Sequence, residues 1–243
     1  MKLSLLPFLV ALFLLPLTGR AEKPAAALQL LNLDAWTETG EWAKAGKIHG
    51  NTGEKKWKSI APGDAVLYNG AKGKTTNIAS KEKHGDVELE VEFMIPKSSN
   101  SGIYLMGRYE IQILDSYGKP DDGLSPGDCG GIYERWDESK PDGAKGYEGT
   151  APATNASTAP GTWQTYKIQF RAPRFDGEGK KTENARFLRV VHNGVVIHED
   201  VEVTGPTRGG IVGPEVLRGP LTVQGDHGPV AFRKFTLRHT TFQ

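Results

Sequence analysis

The run Val87-Glu88-Leu89-Glu90-Val91-Glu92-Phe93-Met94-Ile95 constrains the fold more than any other stretch of the chain. Apolar side chains at every second position, with three glutamates between them, match the two-residue period of a strand with one dry face and one wet face. Val87, Leu89, Val91, Phe93 and Ile95 therefore face a core. Glu88, Glu90 and Glu92 belong to a solvated outer sheet rather than to a catalytic or metal cluster. Similar β-rich runs recur between turn residues, and thirty glycines with fifteen prolines suit many strands and turns better than helices. The expected fold class is all-β, a sandwich of antiparallel sheets.

Two hairpins stand out. Asn193-Gly194 between β-rich runs predicts one across Arg186 to Val203, which would make His192 and His198 cross-strand surface histidines. Gly107-Arg108 predicts a type II′ turn between Ile103 to Met106 and Tyr109 to Leu114. In the second of those strands Tyr109, Ile111 and Ile113 face one way, and Glu110, Gln112 and Leu114 the other. A carboxylate and an amide on the polar face are more than burial requires. Asp115 would join them only through a β-bulge near Ile113 or Leu114, which is the expectation here.

Further along, Gly118 to Pro160 reads as a long functional loop over one face of the sandwich, with Arg135 as a hydrogen-bond fork and Trp136 as a sugar-stacking plane. Asn155-Ala156-Ser157 has the form of a glycosylation acceptor. Leu221 to Gln224 and Val230 to Leu237 close the sheets. The turn between them, Gly225 to Pro229, presents an acid and an imidazole, Asp226 and His227, at a strand end.

With 37% hydrophobic and 24% charged residues, 243 residues suffice for one sizeable core. A net charge of +1 argues against a nucleic-acid partner. Residues 1–21 have the form of a secretory signal, with Lys2, an apolar run from Leu3 to Leu17, and Gly19-Arg20-Ala21 at the cleavage site. The mature protein is expected to begin near Glu22, to have no membrane segment after cleavage, and to be periplasmic or extracellular. Cys129 is the only cysteine, so no intramolecular disulfide forms. Zinc, phosphate-loop, dinucleotide and Gly-x-Ser-x-Gly patterns are all missing. No motif requires a cofactor, although a divalent ion could assist.

The spacing Glu110-x-Gln112-x-x-Asp115 resembles the Glu-x-Asp-x-x-Glu signature of retaining laminarinase and lichenase-type glucanases, with two of the three residue types changed. A wider set of segments, NSGIYLMGRYEIQILDSYG, GDCGGIYERWD, FRAPRFDGEGKKTENARF, HNGVVIHEDVEVTGPT and GPLTVQGDHGPVAFR, resembles the 3-keto-disaccharide hydrolase domain family, formerly a domain of unknown function. The resemblance spans nearly all of residues 22–243, with Leu28 to Trp36 as the opening strand. It implies one concanavalin A-like jelly roll that cleaves glycosides oxidised at C3, with an oligosaccharide or glycoside as substrate. A ketone at C3 acidifies the C2 proton, so a base and an acid suffice for elimination at C1. In that reading Glu110 or His227 is the base and Asp115 the proton donor. Arg108, Gln112, Gln224, Arg135, Trp136 and Asp226 then bind substrate. Two other readings use the same face: a lectin-like module, which needs no acid or base, and an ordinary glucanase, which needs two carboxyls ~5–5.5 Å apart.

Overall fold

Strand Val87–Met94 lies in the middle of the larger of the two main antiparallel sheets in the computed structural model, which describes residues 26–243; two short two-stranded sheets accompany them. The expected leader at 1–21 lies outside the described residues. Across the larger sheet the order is Val195–Val203, Ala185–His192, Trp163–Arg171, Val87–Met94, Ala231–His239, Trp57–Tyr68, Ala43–Gly50, with Leu28–Gln29 also paired to Ala231–His239. The smaller sheet runs Trp36–Thr37, Ile78–His84, Gly219–Val223, Asn100–Leu105, Tyr109–Leu114. The chain is thus an all-β jelly-roll sandwich.

The alternation predicted for Val87 to Ile95 holds. Leu89, Val91 and Phe93 are buried against Ile103, Leu105, Tyr109, Ile111, Ile113, Leu221 and Val223 of the facing sheet. Each such side chain contributes about 1.5–3 kcal/mol by leaving water. On the outer face Glu88 pairs with Arg238, Glu90 with Lys234, and Glu92 with Arg233, as a solvated sheet surface should.

Several expectations need correction. Leu28 to Trp36 is not one strand, because it crosses from one sheet to the other. Leu28–Gln29 pairs in the larger sheet and Trp36–Thr37 in the smaller, with a 3-10 turn at Leu33–Ala35 capped by the Asn32 side chain. Trp36, Trp42 and Trp57 are all core residues. The first hairpin turns one residue early. Met106 and Gly107 both take positive φ, 54° and 68°, and the Arg108 amide donates to the Leu105 carbonyl at 3.0 Å. That is the type I′ combination of backbone angles, and it places the Met106 side chain in the core.

The second hairpin turns at Asn193 and Gly194 as predicted, with φ of 49° and 84°. Its histidines, however, are neither on the surface nor opposite one another. His192 pairs with Val195 and His198 with Val190, and both rings are buried. His192 lies against Phe93 and Tyr166, and burial pushes its pKa down to about 3.

The long loop runs along the sandwich edge rather than over a face. Tyr133 donates to the Glu110 carbonyl at 3.1 Å, Gln112 to Gly131 at 2.9 Å, and Gly130 to Gln112 at 2.9 Å, which extends the smaller sheet by a partial strand. Ala153 then donates to Ile197 of the larger sheet at 3.0 Å. The loop so closes the gap between two edge strands that would otherwise be left open to pair with another chain. Asn155 of the acceptor triplet is committed here, its amide donating to the Ser116 and Lys119 carbonyls. No helix among the described residues is long and apolar enough to cross a membrane.

Candidate active site

Tyr109–Leu114 pairs with Asn100–Leu105 in unbroken register: Tyr104 opposite Glu110, Gly102 opposite Gln112, Asn100 opposite Leu114. Thr222 pairs with Tyr104 from the other side. Since paired residues share a face, Asn100, Gly102, Tyr104, Glu110, Gln112 and Thr222 form one polar floor on the outward side of the smaller sheet. Its buried atoms Glu110 Oε1, Gln112 Oε1, Asn100 Oδ1 and Thr222 Oγ1 have no hydrogen-bond partner in the protein. Leaving one such atom bare costs about 1–3 kcal/mol. Four on one face mark a surface that a hydroxyl-rich ligand or water completes.

Glu110 is 1% exposed, and burial pushes its pKa up to about 8, with the Tyr104 hydroxyl pulling the other way. Its carboxyl holds a proton at neutral pH. Burial, and then the neighbouring Glu110 charge, raises the Tyr104 phenol above its ordinary range, so Tyr104 stays a neutral donor.

Beside this floor, the turn Gly225 to Pro229 is held from below by Asn69, which is fully buried. The Asn69 amide donates to the carbonyls of Gly225 (3.0 Å) and Gly228 (2.8 Å), and its oxygen accepts from the Val230 amide (3.0 Å). Asn77 accepts from Gly225, and Ser99 donates to Pro229. On this fixed turn His227 Nδ1 lies 2.6 Å from Asp226 Oδ1, with both side chains about half exposed. A carboxylate at Nδ1 keeps the proton there and leaves Nε2 as a free acceptor. The Asp226 charge also acts on the Tyr104 hydroxyl and adds to the rise of its pKa.

The chain matches the model of the 3-keto-alpha-glucoside-1,2-lyase-like domain over residues 29–238. It belongs to that family. Among solved structures, a provisionally named glycosyl hydrolase from Parabacteroides distasonis ATCC 8503 is 26% identical, with a TM-score of 0.61 over 88% of this chain and 84% of that one. A second provisionally named glycosyl hydrolase from the same organism is 19% identical, with a TM-score of 0.57 over 89% of this chain and 100% of the other, and shares the fold. No curated protein sequence matches. The lyase-like domain is a carbohydrate-active jelly-roll protein.

Not all the residues expected from sequence meet in this lyase-like domain. Glu110 and Gln112 line the floor, Gln224 follows Thr222 on the same face by alternation, and Asp226 and His227 stand at its side. Asp115 does not join them. With no bulge in the strand it falls on the face of Ile111 and Ile113, where its carboxylate accepts the Ser98 amide at 2.8 Å and pairs with Lys97 at 3.1 Å.

Arg108, Arg135 and Trp136 form a second group, which fastens segment 204–218 at the hairpin end of the floor. Arg108 donates to the carbonyls of Met106 and Pro214, and Arg135 donates to Thr204 Oγ1 at 2.7 Å. The Arg208 guanidinium lies 3.5 Å above the Trp136 ring centre and occupies one face of the indole. Thr207 Oγ1 accepts from the Glu110 amide (3.1 Å) and donates to the Arg108 carbonyl (3.0 Å), tying the segment to the strand that carries Glu110.

Sequence reasoning missed Tyr104, Asn100 and Thr222, which the alternation of their strands could have put opposite Glu110 and Gln112. It also missed Asn69, for which no local signal exists. Among the described residues no three His, Cys, Asp or Glu side chains gather as a metal-binding group.

Proposed function

We propose that this lyase-like domain, exported once its leader is removed, cleaves glycosides whose C3 carries a ketone, by elimination across C1 and C2. The C2–H bond breaks, its proton passes to a base, and the electron pair forms the C2=C3 enolate. The enolate then restores the C3 carbonyl as C1=C2 forms and the C1–O bond breaks, and the departing oxygen takes a proton. Water added later across C1=C2 makes the net reaction a hydrolysis.

The observation that carries this reading is that one floor holds a buried carboxyl and, at its side, an exposed imidazole oriented by a carboxylate. Glu110 keeps its proton at neutral pH, while His227 has Nδ1 engaged by Asp226 and Nε2 free. Environments that set two groups to opposite tasks are how one site supplies both acid and base. His227 is then the base at C2 and Glu110 the donor to the leaving oxygen. Tyr104, Gln112, Asn100 and Thr222 take the sugar oxygens, including the oxygen at C3 on which charge develops. The position of Asp115 favours this chemistry over the ordinary retaining mechanism, since Asp115 is committed to Lys97 and Ser98 and does not supply the second carboxyl.

The test is turnover of a 3-keto-glucoside beside the parent glucoside. Elimination predicts rapid cleavage of the first and almost none of the second. Equal rates would return the protein to ordinary glycosidase chemistry, and binding of both without turnover would make it a lectin.

A further inference from the structure

Gly102 lies in the interior of a central strand, a place where glycine weakens the sheet and usually marks a close approach. Its backbone does not demand glycine, since its φ lies outside the left-handed range. What excludes a side chain is a single neighbour. A Cβ built on Gly102 would lie 2.0 Å from Glu110 Oε1, 2.9 Å from Cδ and 3.1 Å from Cγ, and these are its three nearest atoms. Glu110 faces Tyr104 in the register and Gly102 is its diagonal neighbour, so the carboxyl leans along the sheet to lie over bare backbone. Any other residue at 102 would put side-chain atoms where that carboxyl lies.

We propose that Gly102 is the positioning residue for Glu110: its missing side chain opens a slot in the sheet floor that seats the carboxyl, out of water, for proton donation to the leaving oxygen. The inference rests on the role proposed above for Glu110, but the slot itself can be tested without turnover. Filling it with one methyl, Gly102→Ala, pushes the carboxyl toward solvent, where an acid titrates in its ordinary range.

The first measurement is infrared detection of the protonated Glu110 carboxyl from pH 4 to 10 in the full chain, with Glu110→Gln as the blank. In the wild type the band should vanish near pH 8, and in Gly102→Ala more than ~2 units lower. The alkaline limb of kcat on a 3-keto-glucoside should move the same way, with kcat falling much more than KM changes. An unchanged titration in Gly102→Ala overturns the proposal.

The second measurement covers the case in which Gly102→Ala folds poorly. At pH 5, where the seated carboxyl is protonated, adding Gly102→Ala should cost little melting temperature in a Glu110→Ala background, where the slot is empty, whereas in the wild type it should cost several degrees. Equal losses in both backgrounds overturn the proposal, because the slot would then serve something other than Glu110. Failure of the elimination reading would show differently, as no turnover of any 3-keto sugar with the carboxyl titration still shifted.

Discussion

The amide of Met106 donates a 3.0 Å hydrogen bond to Nε2 of His84, so the turn at the end of the candidate floor hangs on an imidazole that must stay neutral to accept it. His84 Nδ1 is 2.9 Å from the Gly85 carbonyl, which fixes its proton on that side. Burial pushes the His84 pKa down to about 4, and that of His192 to about 3.

Acid should therefore loosen the fold well above the carboxylate range. Below pH ~6.5 the unfolded chain binds protons at these two positions that the folded chain refuses, so their contribution falls with pH until about pH 4 and about pH 3 respectively. Each should cost on the order of 2 kcal/mol by pH 5. Urea melts at pH 7 and pH 5 on Glu110→Gln, which lacks the opposing titration described next, should show the loss. His84→Asn should show a smaller loss, since His192 and the buried His198 still contribute, and no change in stability between the two pH values would contradict the account.

Glu110→Gln should cost turnover and gain stability. A carboxyl whose folded pKa is raised to about 8 is favourable while protonated, and destabilises the fold progressively as pH rises from about 4.5 to 8. At pH 8 the amide variant should be more stable by on the order of 4 kcal/mol, and at pH 4 by little. Activity on a 3-keto-glucoside should fall ~100- to 10,000-fold, and wild-type activity should decline as pH passes about 8. Equal stability at pH 8 would mean that the carboxyl is solvated.

His227→Asn should lose ~100- to 10,000-fold in kcat with KM little changed, because the acceptor at C2 is gone while the floor persists. Asp226→Asn should lose less, since the imidazole remains but its orientation is no longer enforced. A fully active His227→Asn would move the base elsewhere on the floor.

Asp115→Ala should behave as a structural variant. It leaves the Ser98 amide and Lys97 without their acceptor, but both are open to water, so the cost should be only about 0.5–1.5 kcal/mol, and kcat of the folded protein should stay within about threefold of wild type. A catalytic loss as large as that of Glu110→Gln would return Asp115 to the chemistry.

The strands that build the core were legible because burial writes itself into alternation, as in Val87 to Ile95, and the hairpin at Asn193-Gly194 because its turn needs two positive φ values. Glu110, Gln112 and His227 were legible as polar side chains that burial alone does not require. Asp115 misled because a resemblance in spacing supplied a bulge that the unbroken ladder does not have. Trp136 and Arg135 looked like a sugar platform, but an aromatic ring beside an arginine reads the same from sequence whether it meets a ligand or, as here, Arg208 and Thr204. Asn69 was invisible because its role depends on backbone groups far along the chain.

That distance bears on the order of events during synthesis. The three hydrogen bonds of Asn69 span 156, 159 and 161 residues, so the turn that holds Asp226 and His227 has no scaffold until strand Ala231–His239 docks between strands already made. Contacts of such separation form slowly, after the loop-closure entropy between them has been overcome. A nascent chain can complete the Asn100 to Leu114 hairpin early, with Glu110 already opposite Tyr104, yet the imidazole arrives only with the last stretch of polypeptide. On the roles proposed above, the strand of the proton donor thus precedes its acceptor in the chain, and floor and turn meet only when the last strand docks.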